Sequence, residues 1–253
     1  MRGDADIATV GALVADPARA KILLALGDGR ALPASVLADE AGVATSTASA
    51  HLGKLLDGGL LTVESHGRHR YFRIAGPAVG ELLEALARLS PATPVRSLKQ
   101  GTNAQALRFA RTCYDHLAGV LGTKLMAAML ECELLTGGDG VFDPGAARAD
   151  RLSSPGFDLD YRLTPAGVDQ LRDFGIDFES LRGKRRPLVR YCVDWSEQRH
   201  HLAGSLGAAL AERMVELGWV RRGRRGRALH VTDEGYTGLR ETFGVELNPS
   251  RSS

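Results

Sequence analysis

The stretch from Val43 to Ile74 constrains the chain more than any other. Ala48, Leu52, Leu55 and Leu56 recur at spacings of three and four and stop at Gly58-Gly59, which predicts a helix opening at Ala44 or Thr45 and ending on glycine. Directly behind it, LLTVESHGRHRYFRI reads as two short strands, Leu60–Glu64 and Arg70–Ile74, joined at a tip where Gly67 permits a tight bend. Upstream, Asp16-Pro17 supplies an N-cap and a first helical residue for a helix to about Gly27, striped by Ala20, Leu23, Leu24 and Leu26. Pro33 opens a second short helix carrying Val36, Leu37 and Ala41, stopped at Gly42. Downstream, Val79, Leu82, Leu83, Leu86 and Leu89 predict a helix over Pro77–Leu89, and Ser90-Pro-Ala-Thr-Pro94 marks a boundary.

With Ala48, Leu52 and Leu55 turned inward, the opposite face of the third helix presents Ser46, Thr47, Ala50 and Lys54, with Thr45 at its start and Ser49 and His51 on its flanks. A helix of this kind fits the DNA major groove, where outward side chains read base edges and basic groups hold phosphates. The hairpin tip adds His66, Arg68, His69 and Arg70 without an acidic residue, as backbone or minor-groove contact requires. Each feature alone also describes an exposed helix start or a solvated turn. Their succession on adjacent elements favours a winged helix-turn-helix that binds double-stranded DNA.

The segments DPARAKILLAL, VLADEAGVATSTASAHLGKLLDGGLL and GRHRYFRI resemble the ArsR/SmtB family of winged-helix repressors over about residues 7–90. The resemblance implies a homodimer built from about Asp6–Ala15 and Pro77–Leu89. It also implies one recognition helix per half-site, a palindromic operator, and release from DNA by an inducer. Two departures follow. Ala50 stands where relatives often carry a longer polar residue, so base readout there is weak or mainly by contact with a thymine methyl. The cysteine pair of the arsenic sensors is missing from LPASVLADEAGV, and the aspartate and histidine pattern of the zinc sensors is missing from AVGELLEALARL, which offers only Glu81 and Glu84. The family's familiar metal sites cannot be carried over.

Residues 91–253 contain a repeat, over about 106–180 and 186–248. Cys113-Tyr-Asp before Leu117-Ala-Gly-Val-Leu-Gly122 is echoed by Cys192-Val-Asp before Leu202-Ala-Gly-Ser-Leu-Gly207, with six extra residues in the second copy. Leu163-Thr-Pro-Ala-Gly167 then matches Val231-Thr-Asp-Glu-Gly235, and Phe174-Gly-Ile-Asp-Phe178 matches Phe243-Gly-Val-Glu-Leu247. Each copy reads as helix, short apolar segment, hairpin and helix, winged-helix-like. The expected fold class is therefore α+β, mainly helical: an N-terminal winged helix-turn-helix over 1–90 and a C-terminal domain of two such repeats.

Sensing would fall to that C-terminal half, for a small molecule, a metal ion or an oxidant. Cys113 and His116, with Cys192, His200 and His201, could supply a sulfur and nitrogen site for zinc or cadmium if the repeats face each other, or thiolates that meet an oxidant. Against this, cysteine is often simply buried, and Cys-x-Asp before a helix can be a packed thiol followed by an N-cap. The basic runs Arg182–Arg186 and Arg221–Arg227 concentrate charge that the net +2 conceals, and the second would lie at a hairpin tip, as a further wing or as a solvated turn.

Three cysteines, Cys113, Cys132 and Cys192, at wide spacing do not read as a disulfide framework. No apolar run reaches membrane length and the first residues lack a secretory profile, so a cytoplasmic protein is expected. Neither a phosphate-cradling glycine motif nor a catalytic triad is evident, and Gly137–Gly140 reads as a loop, so no enzyme is expected. The alternative is a non-enzymatic module whose winged helices contact protein rather than DNA.

Overall fold

The computed structural model describes residues 4–66, 69–91, 98–143, 159–183, 186–223 and 227–248. Contacts divide the chain into two units, residues 1–86 with 224–227, and residues 87–223 with 228–253.

In the first unit α1 spans Ile7–Ala15 and α2 spans Pro17–Ala25. Asp16 separates them by accepting from the Ala18 and Arg19 amides while Pro17 takes the first helical position, an arrangement worth about 1 kcal/mol over alanine. The Arg19 side chain reaches back to the Leu13 and Ala12 carbonyls and so satisfies the end of α1. Pro33, expected to open the next helix, instead lies in the two-residue strand β1 (Leu32–Pro33) and precedes α3 (Ala34–Ala41) as its N-cap. Its extended backbone, φ −74° and ψ 156°, suits a strand end, and it faces Tyr71 across the sheet.

Gly42, left-handed at φ 72°, turns the chain into α4 (Thr45–Asp57), with Ala48, Leu52 and Leu55 buried. Leu60 and Leu61 then continue into β2 (Leu61–His66) and β3 (His69–Ile74), which pair from Leu61↔Ile74 to His66↔His69 in a sheet of order β1-β3-β2. The helix α5 spans Pro77–Leu89. This is the α+β, mainly helical arrangement with an N-terminal winged helix-turn-helix that the sequence led us to expect. Leu24, assigned to the buried stripe, is instead 41% exposed.

The second unit begins with α6 (Leu98–Phe109), then β4 (Arg111–Cys113), β5 (His116–Ala118), α7 (Gly119–Glu131), β6 (Leu135–Thr136), β7 (Arg162–Leu163), α8 (Pro165–Asp173) and the short α9 (Phe178–Leu181). It continues with β8 (Arg190–Val193), β9 (His200–Ala203), α10 (Gly204–Glu216), β10 (Val220–Arg222), β11 (Leu229–Val231) and α11 (Asp233–Phe243). The helix, hairpin and helix expected of each copy are present, and each is preceded by a further hairpin, β4-β5 or β8-β9.

Matched residues occupy matched places. Thr164 and Thr232 cap α8 and α11 through the amides of Gly167 and Gly235. Leu121, Leu125 and Met129 of α7 are buried, as are Leu206, Leu210 and Met214 of α10, and all lie in one core. The packing is reciprocal, because α7 lies on β9 and α10 lies on β5. A Cβ on Gly122 would sit 2.4 Å from the Leu117 carbonyl oxygen, and one on Gly207 would sit 2.5 Å from that of Leu202. Among the described residues no helix is long and apolar enough to cross a membrane.

Candidate functional site

Two surfaces carry chemistry. On α4, Thr45, Ser46, Thr47, Ser49, Ala50 and Lys54 are all exposed, because the inward stripe of Ala48, Leu52 and Leu55 fixes the helix's rotation. The Ser49 hydroxyl donates to the Thr45 carbonyl at 2.9 Å, which leaves its lone pairs outward. His51 does not join this set. Its ring is half-buried and its Nδ1 stands 3.8 Å from Asp16 Oδ1, turned back toward α2. Beside α4, Arg70 is exposed on β3 with its guanidinium 5.3 Å from the Phe72 ring. His66 and His69 face each other across the hairpin, while their side chains and residues 67–68, Arg68 included, lie outside the described residues.

In the second unit, β4-β5 and β8-β9 bring four side chains together. Cys113 lies directly across from His116, and Cys192 directly across from His201. One sulfur or nitrogen atom from each of the four lies within 4.8 Å of those of the other three. Cys113, His116 and His201 are buried and Cys192 is half-buried, and the two imidazoles face each other with centroids 5.2 Å apart. None of the three cysteines is in a disulfide.

His200, the fifth residue singled out, points elsewhere: strand alternation turns it to the Tyr161 hydroxyl, 2.8 Å from its Nδ1, and stacks it 4.3 Å from the Tyr191 ring.

An aspartate two residues after each cysteine stands near the histidine of its own hairpin. Asp115 Oδ1 is 3.2 Å from His116 Nδ1, and its other oxygen accepts from Arg186 at 2.5 Å. Asp194 Oδ2 lies 3.6 Å from His201 Nδ1 and accepts from Arg111 at 2.9 Å and from the Gly119 amide at 2.7 Å. Burial opposes the charge on Asp194, but the Arg111 guanidinium together with the His201 ring, the Gly119 amide and the Ser196 hydroxyl outweighs it and holds the carboxyl well below the usual range.

Burial likewise opposes charge on His116, yet the Cys113 sulfur and the Asp115 carboxylate push its pKa up to about 9. Burial, reinforced by the charge on His116, presses His201 well below an ordinary histidine. Two sulfurs and two imidazoles make a donor set suited to a thiophilic metal ion.

The basic runs are partly engaged. Arg186 serves Asp115, and Arg182 pairs with Glu179 at 2.9 Å. Arg221 and Arg222 are exposed, whereas Arg227, grouped with the first unit, is buried and bound to Glu84 at 2.5 Å. Residues 184–185 and 224–226 lie outside the described set. An open cavity of about 630 Å³ is lined by Arg172, Phe178, Leu181, Arg182, Arg186 and Leu188.

A helix-turn-helix domain model matches residues 14–64. The chain is also 39% identical over 242 residues, 96% of its own length and 99% of the other's, to a protein of Bacillus subtilis (strain 168) described as the uncharacterized HTH-type transcriptional regulator YdfF. The chain belongs to the HTH-type transcriptional regulators. This regulator therefore carries a helix-turn-helix DNA-binding domain, in keeping with its ArsR/SmtB resemblance.

Among solved structures, the regulator is similar to the winged helix-turn-helix domain of Mb0332 from Mycobacterium bovis, described as homodimeric and as a possible ArsR-family regulator. That match has 33% identity and a TM-score of 0.29, over 35% of this chain and 88% of that one. It is also similar to CMTR of Mycobacterium tuberculosis, described as a cadmium metal sensor, at 31% identity and a TM-score of 0.27, over 36% of this chain and 99% of that one.

Sequence reasoning missed Asp115, Asp194 and Arg111 as supports of the cluster in this regulator. A signal was present: Arg-x-Cys-x-Asp occurs at both Arg111–Asp115 and Arg190–Asp194.

Proposed function

We propose that this regulator is a homodimeric, sequence-specific DNA-binding repressor, with DNA contact and dimerisation in residues 1–90 and sensing of an inducer in residues 91–253. The observation that carries the reading is the exposed hydroxyl-and-lysine face of α4, with Arg70 exposed on β3. Thr45, Ser46, Thr47, Ser49 and Ala50 contact bases or nearby phosphates in the major groove, and Lys54, Arg70 and the wing tip hold the backbone. Dimerisation is supported by α1, an apolar helix (IATVGALVA) of which no residue is buried within the single chain. The inducer is a thiophilic metal ion such as zinc or cadmium, for which the Cys–His cluster is the support. It acts by population shift, lowering DNA affinity by no more than its preference for the non-binding geometry.

The test is a fluorescence-anisotropy titration of the full chain on duplex DNA from upstream of its own gene, at two salt concentrations, with and without zinc or cadmium. Specific binding with a steep salt dependence that the metal weakens is expected. Specific binding that no metal changes overturns the sensing role and leaves DNA binding in place.

A further inference from the structure

We propose that Cys113, His116, Cys192 and His201 form one closed, four-ligand site for a divalent cation of the zinc or cadmium class, bound once per chain and shared equally between the hairpins β4-β5 and β8-β9. Only its meaning as a signal rests on the sensing role proposed above; the site stands on its own geometry.

Each hairpin contributes one sulfur and one imidazole from directly opposed positions, so neither half holds an ion alone. The ligand atoms lie within 4.8 Å of one another, and a tetrahedron with bonds of about 2.0–2.3 Å has edges of roughly 3.3–3.8 Å. A contraction of roughly 1 Å closes it, within the reach of side-chain rotation.

Simple packing does not account for the imidazoles. His116 Nε2 and both ring nitrogens of His201 are buried without a hydrogen-bond partner, which a native interior tolerates rarely. An ion on the Nε2 atoms satisfies His116 Nε2 and one of the two nitrogens of His201. At His116 the carboxylate of Asp115 engages Nδ1 and leaves Nε2 for the ion, and Asp194 stands 3.6 Å from Nδ1 of His201. Arg186 and Arg111 in turn hold those carboxylates.

The donors select the ion. Two thiolates and two neutral imidazoles balance a dication, favour soft or borderline metals over magnesium and calcium, and leave no coordination position for water. Such a site crosslinks the two copies through their hairpins and has no catalytic opening.

The experiment uses the full chain, reduced and stripped of metal, with the exposed Cys132 replaced by serine so that it cannot contribute a thiolate. Cadmium is added without DNA while the ultraviolet sulfur-to-metal charge-transfer band is followed, and zinc is measured by competition with a chromophoric chelator. Saturation at one ion per chain is expected, with loss of tight binding in Cys113→Ser and in Cys192→Ser. Circular dichroism checks that those variants fold.

Asp115→Asn leaves all four ligands in place, so it should keep the band and bind zinc about 10–100-fold more weakly. Absence of the band at saturating cadmium, or binding unchanged in both serine variants, overturns the site. Because no DNA is present, failure here removes the metal as inducer and leaves the DNA-binding reading intact. A chain that binds the ion but no DNA fails that reading alone.

Discussion

Lys54 is exposed on α4 and Arg70 on the wing strand β3, where each could neutralise a phosphate. If each holds one, then Lys54→Ala and Arg70→Ala should each reduce the slope of log affinity against log salt by about 0.9, with the fold unchanged by circular dichroism. In the second unit the Arg111–Asp194 pair is fully buried, so removing one partner strands a charge. Asp194→Ala is expected to lower the unfolding free energy by about 3–5 kcal/mol in urea titration. The outward residues of α4 were legible from sequence because helical spacing fixes which face is buried. The exception is His51, whose flank position lets it turn either way and whose proximity to Asp16 depends on how α2 crosses α4. The aspartates behind the imidazoles were not legible, since Cys-x-Asp before a helix suggests capping as readily as a histidine support.

The helices of the first unit follow from caps and spacing, and Asp16-Pro17, Gly42 and Gly58-Gly59 place their ends to within a residue or two. The hairpins β4-β5 and β8-β9 escaped notice for a physical reason. Their strands are three or four residues long and β4, β5 and β9 are wholly buried, so the alternation by which a half-exposed strand is recognised is confined to the four residues of β8. Their close packing against α7 and α10 depends on glycine. Gly122→Ala and Gly207→Ala each force a methyl group onto a backbone carbonyl, and each should cost about 1–3 kcal/mol by urea titration. In α1, Ile7 and Val14 lie seven residues apart on one face. The double substitution Ile7→Glu/Val14→Glu is expected to give a folded monomer by sedimentation, with operator affinity lost. A dimer that persists unchanged places the dimer contact elsewhere.

Across the whole molecule, the four matched blocks of residues 91–253 were legible in the sequence, and the packing of the segments that carry them was not. That the copies pack reciprocally, α7 on β9 and α10 on β5, is what brings Cys113 and His116 against Cys192 and His201, and no spacing within either copy encodes it. The central claim concerns DNA, and the most direct test is selection of bound duplexes from a random pool by the full chain. The account predicts enrichment of a twofold-symmetric motif with half-sites about one helical turn apart. Recovery of no common motif, with affinity the same for all sequences, contradicts it.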